Sequence, residues 1–331
     1  MIGASFLCAF LAFGSEPTAA GGGEDVKTCY KPGMFNTLVD PECSYCRDEA
    51  KRAAGALRDD DRVLAWIRGD HTGGAIPYRW FLVPYRVVSD TYGVFVYDPD
   101  ADFVRAWPAS LDFRFQGWRN GVMVMKHKDG TVFDCLTGLG VDGPRKGQRL
   151  KPIAAIESDW GPWLRDHPGT VAYQMVSKFN PMSIPNKVSA EALSTRPKLD
   201  ERYNGEERVF GLTVGSDSKA WPLRNFSQGS AEIKQVKIGD EDAVILWDGP
   251  TRSAAAFASE TEGKKVEKVM LKLDAGDPKA PWIDETGSRW SIVGRAVSGP
   301  RKGEVLRWLP GVMIKWHAWS AAYPKTTLEA K

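Results

Sequence analysis

The sequence contains one segment twice, and this repeat constrains the fold more than any other feature. Residues 138–170 align without a gap onto residues 294–326, at a constant separation of 156 positions and with twelve identities. The repeated features include a Gly-Pro-Arg-Lys-Gly turn and a pair of tryptophans, Trp160 and Trp163, which return as Trp316 and Trp319. A long segment that recurs at a fixed period predicts two related structural units in tandem.

The flanking sequence extends this pattern into a domain organisation. We expect a signal peptide at 1–20, an N-terminal cysteine-containing extension at 21–60, a first repeat domain at 61–175, a linker at 176–206 and a second repeat domain at 207–331. Residues 2–13 are almost wholly apolar and are followed by small residues, as in secretory signals. The sequence therefore predicts an exported protein, periplasmic or extracellular, with no membrane span in the mature chain.

Short apolar and alternating runs predict a mainly β fold. Residues 63–67 and 93–97 are apolar runs of strand length, and Leu111, Phe113 and Phe115 alternate with polar residues. Residues 122–128 and 131–136 flank Asp129-Gly130, which is typical of a hairpin. We predict an α+β architecture of two tandem homologous β-rich domains, barrel- or sandwich-like, each with a short helix near its end. A helix at 44–57 is predicted in the extension, and each domain should enclose its own tryptophan-lined core.

Composition and motifs argue against several function classes. The 44 basic and 42 acidic residues give a net charge of +2, which does not favour electrostatic binding of nucleic acid. We find no recognisable catalytic motif. The run Gly138 to Gly143 spells a dinucleotide-binding pattern, but Pro144 follows at once and no helix opens there to receive a pyrophosphate.

Cys43 and Cys46 form the sharpest local motif. Two thiols three positions apart at a predicted helix start could form a redox pair, because a helix N-terminus stabilises a thiolate. They could also supply part of a metal site together with Cys29. A structural disulfide from Cys29 to either of them is the third interpretation.

Met123, Met125 and His127 form a second candidate metal set. Their spacing places them on one face of a strand, and pairing across Asp129-Gly130 predicts His127 opposite Val132. Thioether and imidazole ligands together suit copper, whereas methionines also fill irregular gaps in apolar cores. Copper or zinc at these residues and the cysteines is the one cofactor hypothesis that the sequence offers.

Paired cations occupy both copies of the repeated turn. Arg145 and Lys146, and Arg301 and Lys302, could bind an anion, although such turns are commonly solvated hairpin tips. The two Trp-x-x-Trp pairs could stack on sugars if exposed, or anchor the cores if buried.

The second repeat resembles a known family. Its segments 215–223 and 286–290, with Gly294, Gly299-Pro300, Gly303 and Leu306, resemble the family called domain of unknown function 3179, which is found in exported bacterial and archaeal proteins. The first repeat resembles a diverged copy. The resemblance implies a Cys-x-x-Cys pair in many members, but residues 97–100 and 247–250 hold no cysteine here.

These observations favour a binding or structural role in the cell envelope over catalysis. A tandem pair forms a cleft between its domains, and such clefts commonly bind small ligands. The alternatives are metal or thiol-redox handling through Cys43 and Cys46, and carbohydrate binding through exposed tryptophans. The expected partner is an unknown small ligand or an envelope component.

Overall fold

A computed structural model describes residues 26–41, 57–67, 73–78, 81, 85–172 and 189–329. We call residues 62–172 the N-half and residues 208–328 the C-half. The strands of the N-half, with two from the segment before it, are β1 (Thr28–Tyr30), β2 (Asn36–Val39), β3 (Arg62–Ile67), β4 (Gly73–Pro77), β5 (Tyr85–Ser89), β6 (Val94–Asp98), β7 (Phe103–Trp107), β8 (Phe113–Arg119), β9 (Val122–His127), β10 (Val132–Asp134), β11 (Gly140–Asp142), β12 (Ile156–Asp159) and β13 (Val171–Ala172).

The C-half contributes a second series of strands, and the described helices are three short α-helices and a 3-10 helix at Leu223–Asn225. The strands are β14 (Arg208–Val214), β15 (Asp217–Pro222), β16 (Ala231–Ile238), β17 (Glu241–Asp248), β18 (Ser253–Thr261), β19 (Lys272–Leu273), β20 (Trp282–Ile283), β21 (Arg289–Trp290), β22 (Ala296–Ser298), β23 (Leu306–Leu309), β24 (Val312–Lys315) and β25 (Thr327–Leu328). The α-helices are α1 (Trp160–Asp166), α2 (Ala190–Thr195) and α3 (Trp316–Ala322). The prediction of a mainly β fold is confirmed.

The sheets of the two halves have corresponding strand orders, apart from the edge strands β1, β2 and β23, which have no counterpart in the other half. In the N-half, sheet A1 is β12-β3-β4-β13, sheet A2 is β2-β5-β6-β7 and sheet A3 is β1-β8-β9-β10-β11. In the C-half, sheet B1 is β24-β14-β15-β25, sheet B2 is β16-β17-β18-β23 and sheet B3 is β19-β20-β21-β22. In both halves the strand just before the tryptophan-bearing helix pairs with the first strand of that half.

Sheets A1, A2, B1 and B2 pack face to face in a ring. On β3, Leu64 and Trp66 contact sheet A2, whereas the alternate residues Val63 and Ala65 belong to a core shared with sheet B2. Sheet B1 alternates in the same way between sheets B2 and A2. Both faces of the central strands are therefore covered, which explains why β6 reads as a continuous buried run rather than an alternating one.

The expectation that each half encloses its own tryptophan-lined core holds only in part. Trp66 lies in a core made by the N-half, and Trp221 and Trp247 lie in a core made by the C-half. The repeated tryptophans instead lie in cores that both halves share. Trp160 and Trp163 of the N-half are buried with Phe257 and Trp290 of the C-half. Trp316 and Trp319 of the C-half are buried in turn among residues of the N-half. These partners include Val96, Trp107, Met125 and Phe133. The apolar pattern of a strand shows which face is buried but not which half covers it, so sequence alone could not assign the partner.

The hairpin between β9 and β10 forms as predicted, but its register is shifted by one residue. Val132 pairs with Lys126 rather than with His127, and Met125 lies opposite Phe133 rather than Asp134. Gly130 donates its backbone N–H to the His127 carbonyl at 2.9 Å and has a φ of 94°. A type I turn closed by one left-handed glycine makes a three-residue loop, whereas our prediction assumed a two-residue loop with two left-handed residues.

The segment predicted as a linker contains α2. Ser189 caps this helix, since its Oγ accepts the Ala192 N–H at 3.2 Å, and Ala192 and Thr195 are buried. The predicted signal peptide and the predicted helix at 44–57 lie outside the described residues, apart from Leu57. In the part of the chain that is described, no helix is long and apolar enough to cross a membrane.

Candidate ligand-binding site

A cavity of about 220 Å³ lies between the two halves. The N-half supplies its walls from β3 and from the approach to β12, and the C-half supplies them from β18, β23 and the residues around β22. The lining residues are Ala65, Trp66, Ile67, Ala154, Ala155, Ile156, Phe257, Glu262, Val293, Arg295, Val305, Leu306 and Trp308. A mostly apolar cavity with a few polar groups is the usual form of a small-molecule site.

Small side chains on the N-half leave the space open. Ala65 on β3 pairs with Ile156 on β12, and Ala154 and Ala155 precede that strand. The Trp66 ring lies between Phe95 and the backbone of Gly74. Its centroid is 4.2 Å from that of the Phe95 ring, and a Cβ on Gly74 would lie 2.3 Å from the nearest ring atom of Trp66. Glycine at 74 thus permits the indole to lie against the strand backbone.

On the opposite side of the ring of sheets, the corresponding space is filled by Arg105. Asp98 pairs with Phe103 and Asp248 pairs with Ser253, so Arg105 on β7 corresponds to Ala255 on β18. Arg105 donates Nη1 to the Gly311 carbonyl at 3.0 Å and Nη2 to the Pro310 carbonyl at 3.1 Å.

Residues 310 and 311 lie 156 positions after Ala154 and Ala155, which line the cavity. At corresponding positions the N-half has Arg105, whose side chain reaches across the interface, and the C-half has Ala255. Ala255 itself is buried in the shared core and does not line the cavity, to which β18 contributes Phe257.

A network of buried ion pairs fixes the two halves beside the cavity. Glu157 on β12 accepts Arg62 Nη2 at 3.0 Å and Arg208 Nη2 at 3.1 Å. Burial opposes ionisation of Glu157, but Arg208 and Arg62 outweigh it and lower the pKa of the carboxyl group. Across the interface, Asp159 accepts Arg252 Nη2 at 2.9 Å and Asp102 pairs with Arg208 Nε at 2.9 Å.

The polar part of the cavity comes from the C-half. Glu262 is exposed at its rim, and its backbone N–H donates to the Val305 carbonyl at 2.7 Å. Arg295, in a bridge with Val305, places a second ionisable group of opposite sign among the lining residues. A ligand would therefore meet apolar walls at one end and charged groups at the other.

Met123 and Met125 are fully buried in the core shared by the halves. His127 lies at the end of the same strand, where its Nδ1 is 3.2 Å from Asp129 Oδ1 and its ring packs on Phe113. The structure thus places the three predicted residues on one strand, with the methionine side chains among aromatic and aliphatic neighbours. Across the described residues, no group of three or more His, Cys, Asp and Glu side chains is arranged to hold a metal.

The predicted cysteine set is only partly described. Cys29 is half-buried on the edge strand β1, and Cys135 is fully buried; neither forms a disulfide within the described residues. Cys43 and Cys46 lie outside that part of the chain. The predicted disulfide, metal and redox roles of this set stay predictions.

The two copies of the cationic turn differ in their surroundings. Arg145 pairs with Asp129 at 2.7 Å and stacks on the Phe133 ring. Arg301 is buried among the carboxylates of Glu267, Glu285, Glu304 and Asp284. Lys146 and Lys302 are exposed. The predicted anion site would have to compete with these carboxylates for both arginines.

The repeated tryptophans are core residues, as one of the two interpretations predicted. Trp160, Trp163, Trp316 and Trp319 are all buried. Among the described tryptophans none is exposed, and Trp308 at the cavity is half-buried; Trp80 lies outside the described residues. The described part of the chain therefore presents no exposed indole face for stacking on a sugar.

Sequence reasoning did not single out the cavity residues. It concentrated on features shared by both copies, whereas Trp66 corresponds to Leu212 and Trp308 to Pro152. The signal that could have found the cavity is a difference in side-chain size between the copies at lining positions, such as Trp308 against Pro152.

Comparison with known families agrees with the resemblance seen in the sequence. The family described as "Protein of unknown function (DUF3179)" matches residues 48–326. No protein of curated function and no solved structure shows significant similarity to the chain.

Proposed function

Because this chain belongs to the DUF3179 family, whose description names no activity, its function must be inferred from its site, and we propose that it is a binding protein. The ligand is a small, largely apolar molecule held in the cavity between the halves. The observation that carries the proposal is the cavity itself, about 220 Å³ in volume with walls from both halves. Ligand sites occur preferentially at such interfaces.

The cavity walls define the class of ligand. Trp66, Phe257 and Trp308 supply aromatic surface, which favours a flat ring or a branched hydrocarbon through dispersion and ring packing. The volume is below the roughly 300–1,000 Å³ of sites for drug-sized ligands. A single substituted aromatic ring with one polar end, directed at Glu262 and Arg295, matches these dimensions.

The test uses small aromatic probes and a variant that fills the cavity. We expect indole and p-cresol to bind the purified full chain saturably in calorimetry. Ala155→Leu should weaken this binding at least tenfold, because the added atoms occupy the space that the ring needs. Ala190→Leu, at an exposed position of α2, adds the same atoms elsewhere and should leave binding unchanged.

Equal binding by wild type and Ala155→Leu would show that the probes bind elsewhere and would refute the proposal. The proposal would also be refuted if neither indole nor p-cresol bound the wild-type protein saturably.

We place this binding role in the cell envelope. The apolar stretch at 2–13, with the small residues after it, supports export. N-terminal sequencing of the protein recovered from a cell fractionation tests this: an intact N-terminus in the cytoplasmic fraction would exclude it.

We also attribute the two halves to duplication of one ancestral module. The twelve identities at a separation of 156 positions and the corresponding strand orders of the sheets support this origin. Superposition of the halves in an experimental structure would test it, and failure of the equivalent strands to superpose would contradict it.

A further inference from the structure

The outer edge of sheet B2 lacks a strand that the corresponding sheet A2 has. In sheet A2, β2 comes from the segment before the N-half and pairs in parallel with β5. The counterpart of β5 in sheet B2 is β16, an eight-residue strand that pairs with β17 alone among the described residues. The outer edge of a strand presents backbone donors and acceptors that can pair with another chain.

The register identifies the positions on β16 that correspond to those covered by β2. Ser89 on β5 pairs with Val94, and Gln235 on β16 pairs with Val244. Val94 and Val244 each lie four residues before the aspartates that end β6 and β17. Ser89 and Gln235 therefore correspond, and residues 231–235 are the counterpart of the stretch that β2 covers, residues 85–89.

The backbone of Gln235 faces outward, as that of Ser89 does. The Ser89 carbonyl accepts the Asp40 N–H at 3.0 Å, so it faces the added segment. On β16, a two-residue turn closes on the pair Ile238 and Glu241, and the closing pair of such a turn is hydrogen-bonded. Because hydrogen-bonded pairs alternate along an antiparallel ladder, residues 231, 233 and 235 direct their N–H and C=O groups away from β17.

The edge of β19, which packs beside β16, is also uncovered. Phe115 on β8 and Leu273 on β19 correspond, since each starts a row across three paired strands that ends three residues after a left-handed glycine, Gly130 or Gly287. Phe35 packs edge-on against Phe115, with the ring centroids 5.1 Å apart. Phe115 is 3% exposed, whereas Leu273 is 44% exposed. An apolar side chain that is covered in the N-half thus stays open beside β16.

The segment bound to the N-half shows how one extended chain satisfies both edges. Thr37 on β2 lies beside Val87 in the parallel ladder, and its Oγ1 accepts the Phe115 N–H from β8 at 3.0 Å. Phe35 covers the same part of β8. The space between the two sheet edges therefore fits a strand with an aromatic residue followed, two positions later, by a hydroxyl.

Charged side chains do not close the edge of β16 at these positions. Lysines that project from a strand edge commonly prevent pairing, but Lys234 Nζ pairs with Glu329 Oε1 at 3.0 Å. Glu232 Oε1 accepts the Ser227 N–H at 2.5 Å. Lys237 is exposed but lies beyond residues 231–235. Both charges within that stretch are thus held by this chain, and its edge stays open.

We propose that the outer edge of β16 binds an extended segment of a partner protein, which adds to sheet B2 as a parallel strand beside residues 231–235. The segment carries an aromatic side chain that covers Leu273 and a hydroxyl two positions later, as residues 35–37 do in the N-half. Main-chain hydrogen bonds supply affinity in this mode of binding, and alternate side chains supply specificity. The site is separate from the cavity and does not depend on the ligand proposed for it.

A synthetic peptide with the sequence of residues 33–41, titrated into the full chain, tests the site. We expect saturable binding in calorimetry and slower amide hydrogen exchange at Ile233 and Gln235. Gln235→Pro removes the outward N–H and should weaken binding at least tenfold. Gln235→Val is the matched control: it keeps that N–H, loses the same side-chain hydrogen bond to the Leu271 carbonyl, and should bind like the wild type.

A second peptide tests the apolar contact. With Phe35→Ser in the peptide, binding should weaken at least tenfold, because the serine leaves Leu273 uncovered. 

Three results would overturn the proposal: no saturable binding of the first peptide to the wild type, equal affinity of Gln235→Pro and Gln235→Val, or slowed exchange on β5 rather than on β16. The last result would mean that the peptide displaces β2 from the N-half. The exchange measurement on the wild type decides the matter even if Gln235→Pro does not fold. Binding of indole to the cavity is measured in the same samples, so a failure of either site can be told apart from a failure of the other.

Discussion

Arg208 Nη2 lies 3.1 Å from Glu157 Oε2, and this contact joins the first strand of the C-half to β12 of the N-half. Arg62 approaches the same oxygen from within the N-half at 3.0 Å. One buried carboxylate thus serves both halves and holds two arginines at their interface.

Glu157→Gln should destabilise the protein by about 3–5 kcal/mol, because it leaves two arginines without their shared buried charge. Urea unfolding at pH 7 measures this loss. Asp60→Asn is the control, since its pair with Arg58 is largely exposed and such pairs contribute little. Equal unfolding free energies for the two variants would contradict the role assigned to Glu157.

The same carboxylate predicts a pH dependence. Its pKa is lower in the folded protein than in the unfolded chain, so its stabilisation is present above the unfolded pKa of about 4.3 and is lost as the pH falls through the folded pKa. The difference in unfolding free energy between wild type and Glu157→Gln should shrink as the pH is lowered from 6 to 3. A difference that stays constant over this range would exclude the linkage.

The pKa of Asp98 is shifted upwards, whereas the pKa of Glu157 is shifted downwards. Burial, and then the neighbouring Asp100, raises its pKa to about 7. A raised carboxyl pKa means that its stabilisation is present below the unfolded value of about 3.9 and is lost as the pH rises to about 7. Carboxyl-carbon NMR should show this group titrating near 7, with the half-buried Asp274, whose pKa is lowered, as the reference. An Asp98 signal that titrates near 4 would contradict the burial argument.

Trp163 and Trp319 occupy corresponding positions but should respond differently to replacement by phenylalanine. Trp319 Nε1 donates to Thr326 Oγ1 at 3.0 Å, whereas Trp163 Nε1 has no partner among the described residues. Trp319→Phe should therefore cost about 1 kcal/mol more than Trp163→Phe, the usual net value of one hydrogen bond. Denaturant unfolding measures both, and a larger loss for Trp163→Phe would reverse the assignment.

Cys135 should resist alkylation in the native protein. Burial, and then Asp134, raises the pKa of its thiol well above the usual value, and the thiolate is the reactive form. Iodoacetamide at pH 8 followed by peptide mapping should leave Cys135 unmodified until guanidinium is added. Modification under native conditions at the rate seen in guanidinium would show that the core opens around β10.

The strands themselves could be predicted from the sequence because local patterns determine them. The apolar run at 63–67 and the alternation at Phe113 and Phe115 both appear as strands. The hairpin register could not be predicted, because it depends on whether Asp129 adopts a left-handed conformation as Gly130 does. Helix α2 was not predicted, because six residues are too few to show the apolar periodicity of a helix. Its N-cap, Ser189, is visible in the sequence.

The site was harder to predict than the elements that form it. The sequence of each half shows which residues are apolar but not whether they pack against the same half or against the other one. The cavity is lined by residues of both halves that are distant in the chain, such as Ala155 and Trp308.

The repeated tryptophans of each half are buried in cores shared with the other half, so neither half keeps these cores when it is alone. A chain that stopped before residue 208 would lack Phe257 and Trp290, which cover Trp160 and Trp163, and would present these indole rings to water.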